Sequence, residues 1–226
     1  MIDSILASPF FGLVLTCAAW YVGLWVQKKT GLVLCNPLVI SAALIILLLL
    51  VMDIPYESYA LGGDFLIMMQ TPVTVMLALN VYRQRKLLGE YFLPVVAGCL
   101  AGSLASVASV LLLCRLMGLD GTISASLLPK SVTTAIAIAV SESLGGIPGL
   151  TVTAVLIAGV LGAMFAPAFA KLFHITDPVA EGTAIGACSH GLGTAKAIEI
   201  GKLQAAMSSI AICLCGIITS MLALFL

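Results

Sequence analysis

Charge is what this chain has least of. Ten basic and ten acidic side chains are spread over 226 residues, only two histidines and two tryptophans occur, and the formal net charge is zero. A balanced, sparse charge removes any basic footprint for nucleic acid. It also leaves no polar stretch long enough for a domain outside an apolar core, so the chain is expected to be a single domain over 1–226. Disulfide scaffolding is excluded as well. The cysteines are seven, an odd number, and they sit mostly inside apolar windows as packing thiols. No phosphate-cradling glycine motif, nucleophile–base pair or metal-ligand spacing is present, so no catalytic residues, cofactor or metal are expected.

What fills the sequence instead is hydrocarbon. It is 62% hydrophobic, and the windows 4–27, 30–52, 91–114, 143–170 and 203–226 contain no charge. Each reaches the ~20 residues that cross a bilayer core. The fold class expected is an all-α polytopic membrane protein. About eight segments fall into two four-segment halves, near 1–118 and 119–226. The first window is read as a retained helix, since positive charge follows it rather than precedes it. Counting Lys and Arg puts Lys28 and the Arg83–Lys86 cluster on the cytoplasmic side.

Two segments depart from plain apolar helix. One is Gln70-Thr-Pro-Val-Thr74, where Pro72 interrupts a helix and Gln70, Thr71 and Thr74 offer partners for the freed backbone groups. The other is Gly186–Lys202, which places Ser189, His190, Thr194, Lys196 and Glu199 among four glycines. Gly191 and Gly193 mark a helix that stops and restarts before Thr194. Irregular backbone at membrane depth survives only inside protein or beside a watery cavity, so two broken or re-entrant segments suggest a substrate site. A third polar stretch, Leu128-Pro-Lys-Ser-Val-Thr-Thr134, reads as a helix start, with Lys130 beside Ser131, Thr133 and Thr134. The spacing Thr74-x3-Ala78-x2-Val81 is echoed by Thr133-x3-Ala137-x2-Val140, a pattern of inverted-repeat transporters.

These features give a specific expectation. A small carboxylate would bind between the helix starts at Ser131–Thr134 and Gly193–Thr194, where free N–H groups and the helix dipole favour an anion. Lys130 or Lys196 would supply charge, Ser131, Thr133, Ser189 and Thr194 the hydroxyls, and His190 a proton-coupling group. The bland alternatives stand beside this. Lys196 and Glu199, three apart, can neutralise each other on one helix face, His190 can be a satisfied packing histidine, and Lys130 can snorkel.

The long motifs carry a resemblance. Leu128-Pro-Lys-Ser-Val-Thr-Thr134, Val140-Ser-Glu142 and Gly145-Gly-Ile-Pro148 are similar to one signature of the LrgB/CidB family, and Ala187–Glu199 with Asp177-Pro178 resembles its second. The resemblance covers nearly the whole chain. It implies one of two roles. One is a secondary transporter or exchanger of small monocarboxylates of the glycolate, glycerate, pyruvate or lactate type, with proton or other ion coupling. The other is an antiholin-like regulator of murein hydrolase activity and lysis, acting with a small LrgA/CidA-like membrane partner. A homo-oligomer, a dimer, in the bacterial cytoplasmic membrane is implied in both. Transport is placed first because a purely structural regulator has no need of Lys130, His190, Lys196 and Glu199 at membrane depth, where an unpaired charge costs on the order of 2.5–3.5 kcal/mol.

Overall fold

A computed structural model of the chain describes residues 6, 8–31 and 35–226. Among them the regular structure is all helical, with no strand. Two compact units, Met1–Val75 and Met76–Leu226, each have their own packing.

The first unit is built on α1 (Pro9–Thr30), α2 (Pro37–Val51) and α3 (Tyr56–Met68). Their ends follow from local chemistry. Ser8 caps α1 by accepting from the Phe10 N–H, and Pro9 stands where no amide donor is needed. At the other end Lys28 and Lys29 lie in the last turn against the negative end of the dipole, and Gly31 at φ 65° stops the helix. That is why α1 runs three residues past the charge-free window that closes at Gln27. Asn36 caps α2 through the Leu38 N–H at 2.9 Å, with Pro37 following. The backbones of α1 and α3 touch at Gly12 and Gly62, where a Cβ on Gly12 would come within 3.0 Å of the Gly62 Cα. The Thr16 and Tyr59 hydroxyls, 3.1 Å apart, join the same crossing.

The helix α4 (Gln70–Arg83) starts immediately after Met69, so the chain does break beside Pro72, which falls third in the new helix. A proline ring is tolerated there because that N–H would have no intrahelical partner. The side chains of Gln70, Thr71 and Thr74 lie outside the described residues.

The second unit holds α5 (Arg85–Glu90), α6 (Phe92–Leu116), α7 (Gly121–Leu127), α8 (Thr134–Ser143), α9 (Pro148–Leu172), α10 (Pro178–Ile200) and α11 (Lys202–Ala223). Its core is where α6, α10 and α11 meet: Val95 and Cys99 pack with Val179 and Ala187 and with Met207, Ile210, Ala211 and Cys215. Small residues set the spacing. Gly182 and Gly186 of α10 lie against the backbone of α11 at Gln204 and Ser208, and Gly98 and Gly102 of α6 meet Thr183 and Ala187 at van der Waals distance.

Among the described residues four helices are long and apolar enough to cross a membrane: α1, α6, α9 and α11. This is a membrane protein. The helices in the charge-free window 30–52 and at the end of the polar stretch Leu128–Thr134 are shorter, α2 of 15 residues and α8 of 10. Helix α9 continues without a break through Pro167.

Candidate functional site

Helix α10 is interrupted at His190, whose φ of 40° and ψ of −134° are non-helical inside an otherwise helical run. The sequence places the break at Gly191–Gly193. It falls instead on the residue before them, and Gly191 opens the new helix. The glycines have another use. A Cβ on Gly193 would strike the Ser189 side chain and sit 3.0 Å from Ile185 Cγ2, so Gly193 lets the chain fold tightly over the break. Positive φ on a residue with a Cβ is costly, and it persists only where surrounding contacts hold it. Here the imidazole supplies the contact: His190 Nε2 is 2.9 Å from the Val155 carbonyl of α9 and the side chain is buried. A carbonyl only accepts, so the proton resides on Nε2. Gly159 and Gly162 on α9 provide the room. A Cβ at Gly159 would lie 2.6 Å from His190 Cε1, and one at Gly162 would strike the Ser189 hydroxyl.

The second interruption separates α7 from α8. Pro129 is expected in the first turn of a helix, yet Leu128–Val132 form a turn and the helix begins later, at Thr134. Lys130 and Val132 make single-turn bonds back to Leu127 and Pro129, and the first continuing helical bond is Ala137 N–H to Thr133 O at 2.8 Å. The amides at the start of α8 therefore have no partner in that helix. Thr133 stands at the N-cap position but its side chain makes no capping bond. Lys130 reaches the Ser106 hydroxyl on α6 at 3.1 Å and Ser131 Oγ at 3.4 Å, and Ser106 and Ser131 are 2.8 Å apart.

Both interruptions meet at Val155. Its carbonyl accepts from His190, and its side chain packs with Val132 and Ala137, which flank the start of α8. The sequence-derived residues thus divide among three supports. Lys130 and Ser131 rest on α6, and Ser189 and His190 on α9. Thr194 rests on α11, where its hydroxyl is 2.7 Å from Ser208 Oγ while also donating to the His190 carbonyl at 3.0 Å. Ser189 Oγ is buried and has no hydrogen-bond partner. Lys196 makes its contact elsewhere, with an acidic partner on its own helix. It pairs with Glu199 at 2.7 Å on the exposed face of the same helix, with side-chain exposures of 26% and 63%. Within the described residues that is the one ion pair, and no cluster of three or more metal-ligating side chains occurs.

Three contributors are not legible in the sequence as site residues. Ser106 reads as one more small residue in an apolar helix, Ser208 as part of a closing span, and the Val155 carbonyl has no signature at all. The serine spacing Ser103, Ser106, Ser109 along α6 is the nearest thing to a signal.

The architecture defines an all-helical membrane protein with interrupted helices gathered around one buried backbone carbonyl. The LrgB-like family model matches residues 16–226, and the chain belongs to that family. It is 37% identical to Antiholin-like protein LrgB of Bacillus subtilis (strain 168) over 94% of this chain and 92% of that protein. The protein of the same name from Bacillus mycoides (strain KBAB4) is 36% identical over 94% and 93%. No solved structure gives a significant match.

Proposed function

We propose that the chain is an antiholin-like protein of the bacterial cytoplasmic membrane, restraining murein hydrolase activity and cell lysis together with a small holin-like membrane partner. The observation that carries this reading is the name borne by its relatives, matched over 94% of the chain, the interrupted helices included. On that ground it stands ahead of transport, which the residues alone put first. Inducible expression in a bacterial host with a small holin-like membrane protein is expected to delay lysis relative to the holin-like protein alone. Identical lysis timing with and without the chain would overturn it.

A second reading is transport or exchange of small monocarboxylates, and one arrangement favours it. Lys130 is bonded to hydroxyls alone, beside the unpartnered amides at the start of α8, and no carboxylate oxygen among the described residues lies within 4 Å of it. A substrate carboxylate would complete that environment, with His190 available for proton coupling and Ser189, Gly193 and Thr194 around the other break. In this reading the shorter helices also serve as membrane segments, about eight in two inverted halves of a homodimer. Proteoliposomes holding this chain alone are then expected to accumulate labelled glycolate or pyruvate, and Lys130→Met to lose uptake by about 10-fold or more, as befits a missing charge-assisted hydrogen bond of ~1.5–3 kcal/mol. Uptake no greater than in protein-free vesicles would leave the antiholin-like reading alone.

A further inference from the structure

Neither reading uses a pair of thiols in the core of the second unit. Cys99 of α6 is 0% exposed and Cys215 of α11 is 2% exposed. Each reaches across the helix interface to the backbone of the other helix. Cys215 Sγ is 3.9 Å from the Cys99 carbonyl oxygen, and Cys99 Sγ is 4.0 Å from that of Ala211, one turn before Cys215. Ser103, one turn beyond Cys99 on α6, adds a buried hydroxyl that has no hydrogen-bond partner. Two interlocked thiols on different helices, with a spare hydroxyl one turn from Cys99, are the ingredients of thiol–disulfide chemistry.

We propose that Cys99 and Cys215 are an oxidisable pair, converted by hydroperoxides to a disulfide that joins α6 to α11. The Cys215 thiolate attacks a peroxide oxygen. An S–O bond forms, the O–O bond breaks, and the departing hydroxide takes up the proton lost by the thiol, giving water and a sulfenic acid. Cys99 sulfur then attacks Cys215 sulfur: S–S forms, S–O breaks, and hydroxide leaves with the Cys99 proton as a second water. Two thiols are oxidised and one hydrogen peroxide is reduced to two waters. Both thiols are buried, so the reaction waits on local opening of the α6–α11 interface, which a molecule as small as hydrogen peroxide can exploit. The bond would tie together the supports of two polar contacts, because α6 holds Lys130 through Ser106 and α11 holds Thr194 through Ser208.

The test needs no knowledge of the protein's activity. Full-length protein in detergent is treated with hydrogen peroxide and denatured, and its remaining thiols are blocked with N-ethylmaleimide. It is then reduced and labelled with a maleimide-polyethylene glycol. All seven cysteines begin free, so no additions are expected without peroxide and two after it. Mass spectrometry of an unreduced digest should show the Cys99–Cys215 link directly in the unaltered chain, independently of how any variant folds. Cys99→Ala and Cys215→Ala should each abolish the two additions, while Cys213→Ala, next but one to Cys215, should keep both. An oxidised chain with no additions, a link between other cysteines, or two additions surviving in either single variant would overturn the proposal.

Discussion

Replacing Gly186 with valine is expected to destabilise the protein severely. A Cβ at this position would collide with the Ser208 carbonyl oxygen and come within 2.8 Å of Ala211 Cβ and 2.9 Å of Ser208 Cα. Two of these atoms are backbone and the third is fixed to it, so no rotamer change can clear the space. The helices α10 and α11 must separate, and Gly182, one turn earlier against Gln204, is drawn into the same shift. Overpacking a closely packed interior costs typically ~1–3 kcal/mol and more where backbone must move. Close helix approach through small residues is what substitutes in a bilayer for the hydrophobic driving force. For a chain of this length a loss of ~3 kcal/mol corresponds to a fall of roughly 10 °C in melting temperature. Thermal unfolding in detergent, followed by size-exclusion chromatography, reads it. Gly149→Ala is the reference change: Gly149 lies in the first turn of α9, a Cβ added there would meet nothing within 4 Å, and the variant should melt at or above the parent temperature. Equal melting of Gly186→Val and Gly149→Ala would mean that the helices do not approach this closely.

At His190 the expected result is an inversion of an ordinary rule. Inside a helix glycine is less stable than alanine by ~0.5–1 kcal/mol. At position 190 the glycine variant should be the more stable of the two, by about 1–3 kcal/mol. Both changes remove the imidazole, empty the space that Gly159 and Gly162 provide, and leave the Val155 carbonyl without its donor, a loss of ~1–3 kcal/mol shared by both. They differ in the Cβ alone. At φ 40° and ψ −134° an L side chain is strained, and glycine is free of that strain. Parallel melts of His190→Gly and His190→Ala decide it. Should alanine prove the more stable, residue 190 does not hold this backbone conformation.

The extent to which the sequence reveals all this follows from which interactions are local. The ends of α1, α2 and α10 are legible because Ser8-Pro9, Asn36-Pro37 and Asp177-Pro178 cap their own helices within two residues. The spans α6, α9 and α11 are legible because charge is confined to their ends, at Arg115, Lys171 and Lys202. That α10 is interrupted can be read from its glycines and polar side chains, but where cannot. Glycine shows that the chain is permitted to turn, whereas the turn itself is held by a carbonyl 35 residues away in sequence. The partners of Lys130 and Thr194 are hidden for the same reason. Ser106 and Ser208 look like any small residue in a span, and only tertiary packing turns them toward a polar neighbour. Lys196 and Glu199, being three apart on one helix, are the reverse case, a pairing available from spacing alone and found in the structure.

The acceptor at the meeting point of the two interruptions is a main-chain oxygen, and that has a genetic consequence. No codon change at position 155 can delete it. Substitutions there would register as altered packing with Val132 and Ala137, and an alanine scan would file the position with the ordinary apolar residues of α9. The hydrogen bond that holds the broken segment of α10 in place is open to mutation from one end only, through His190.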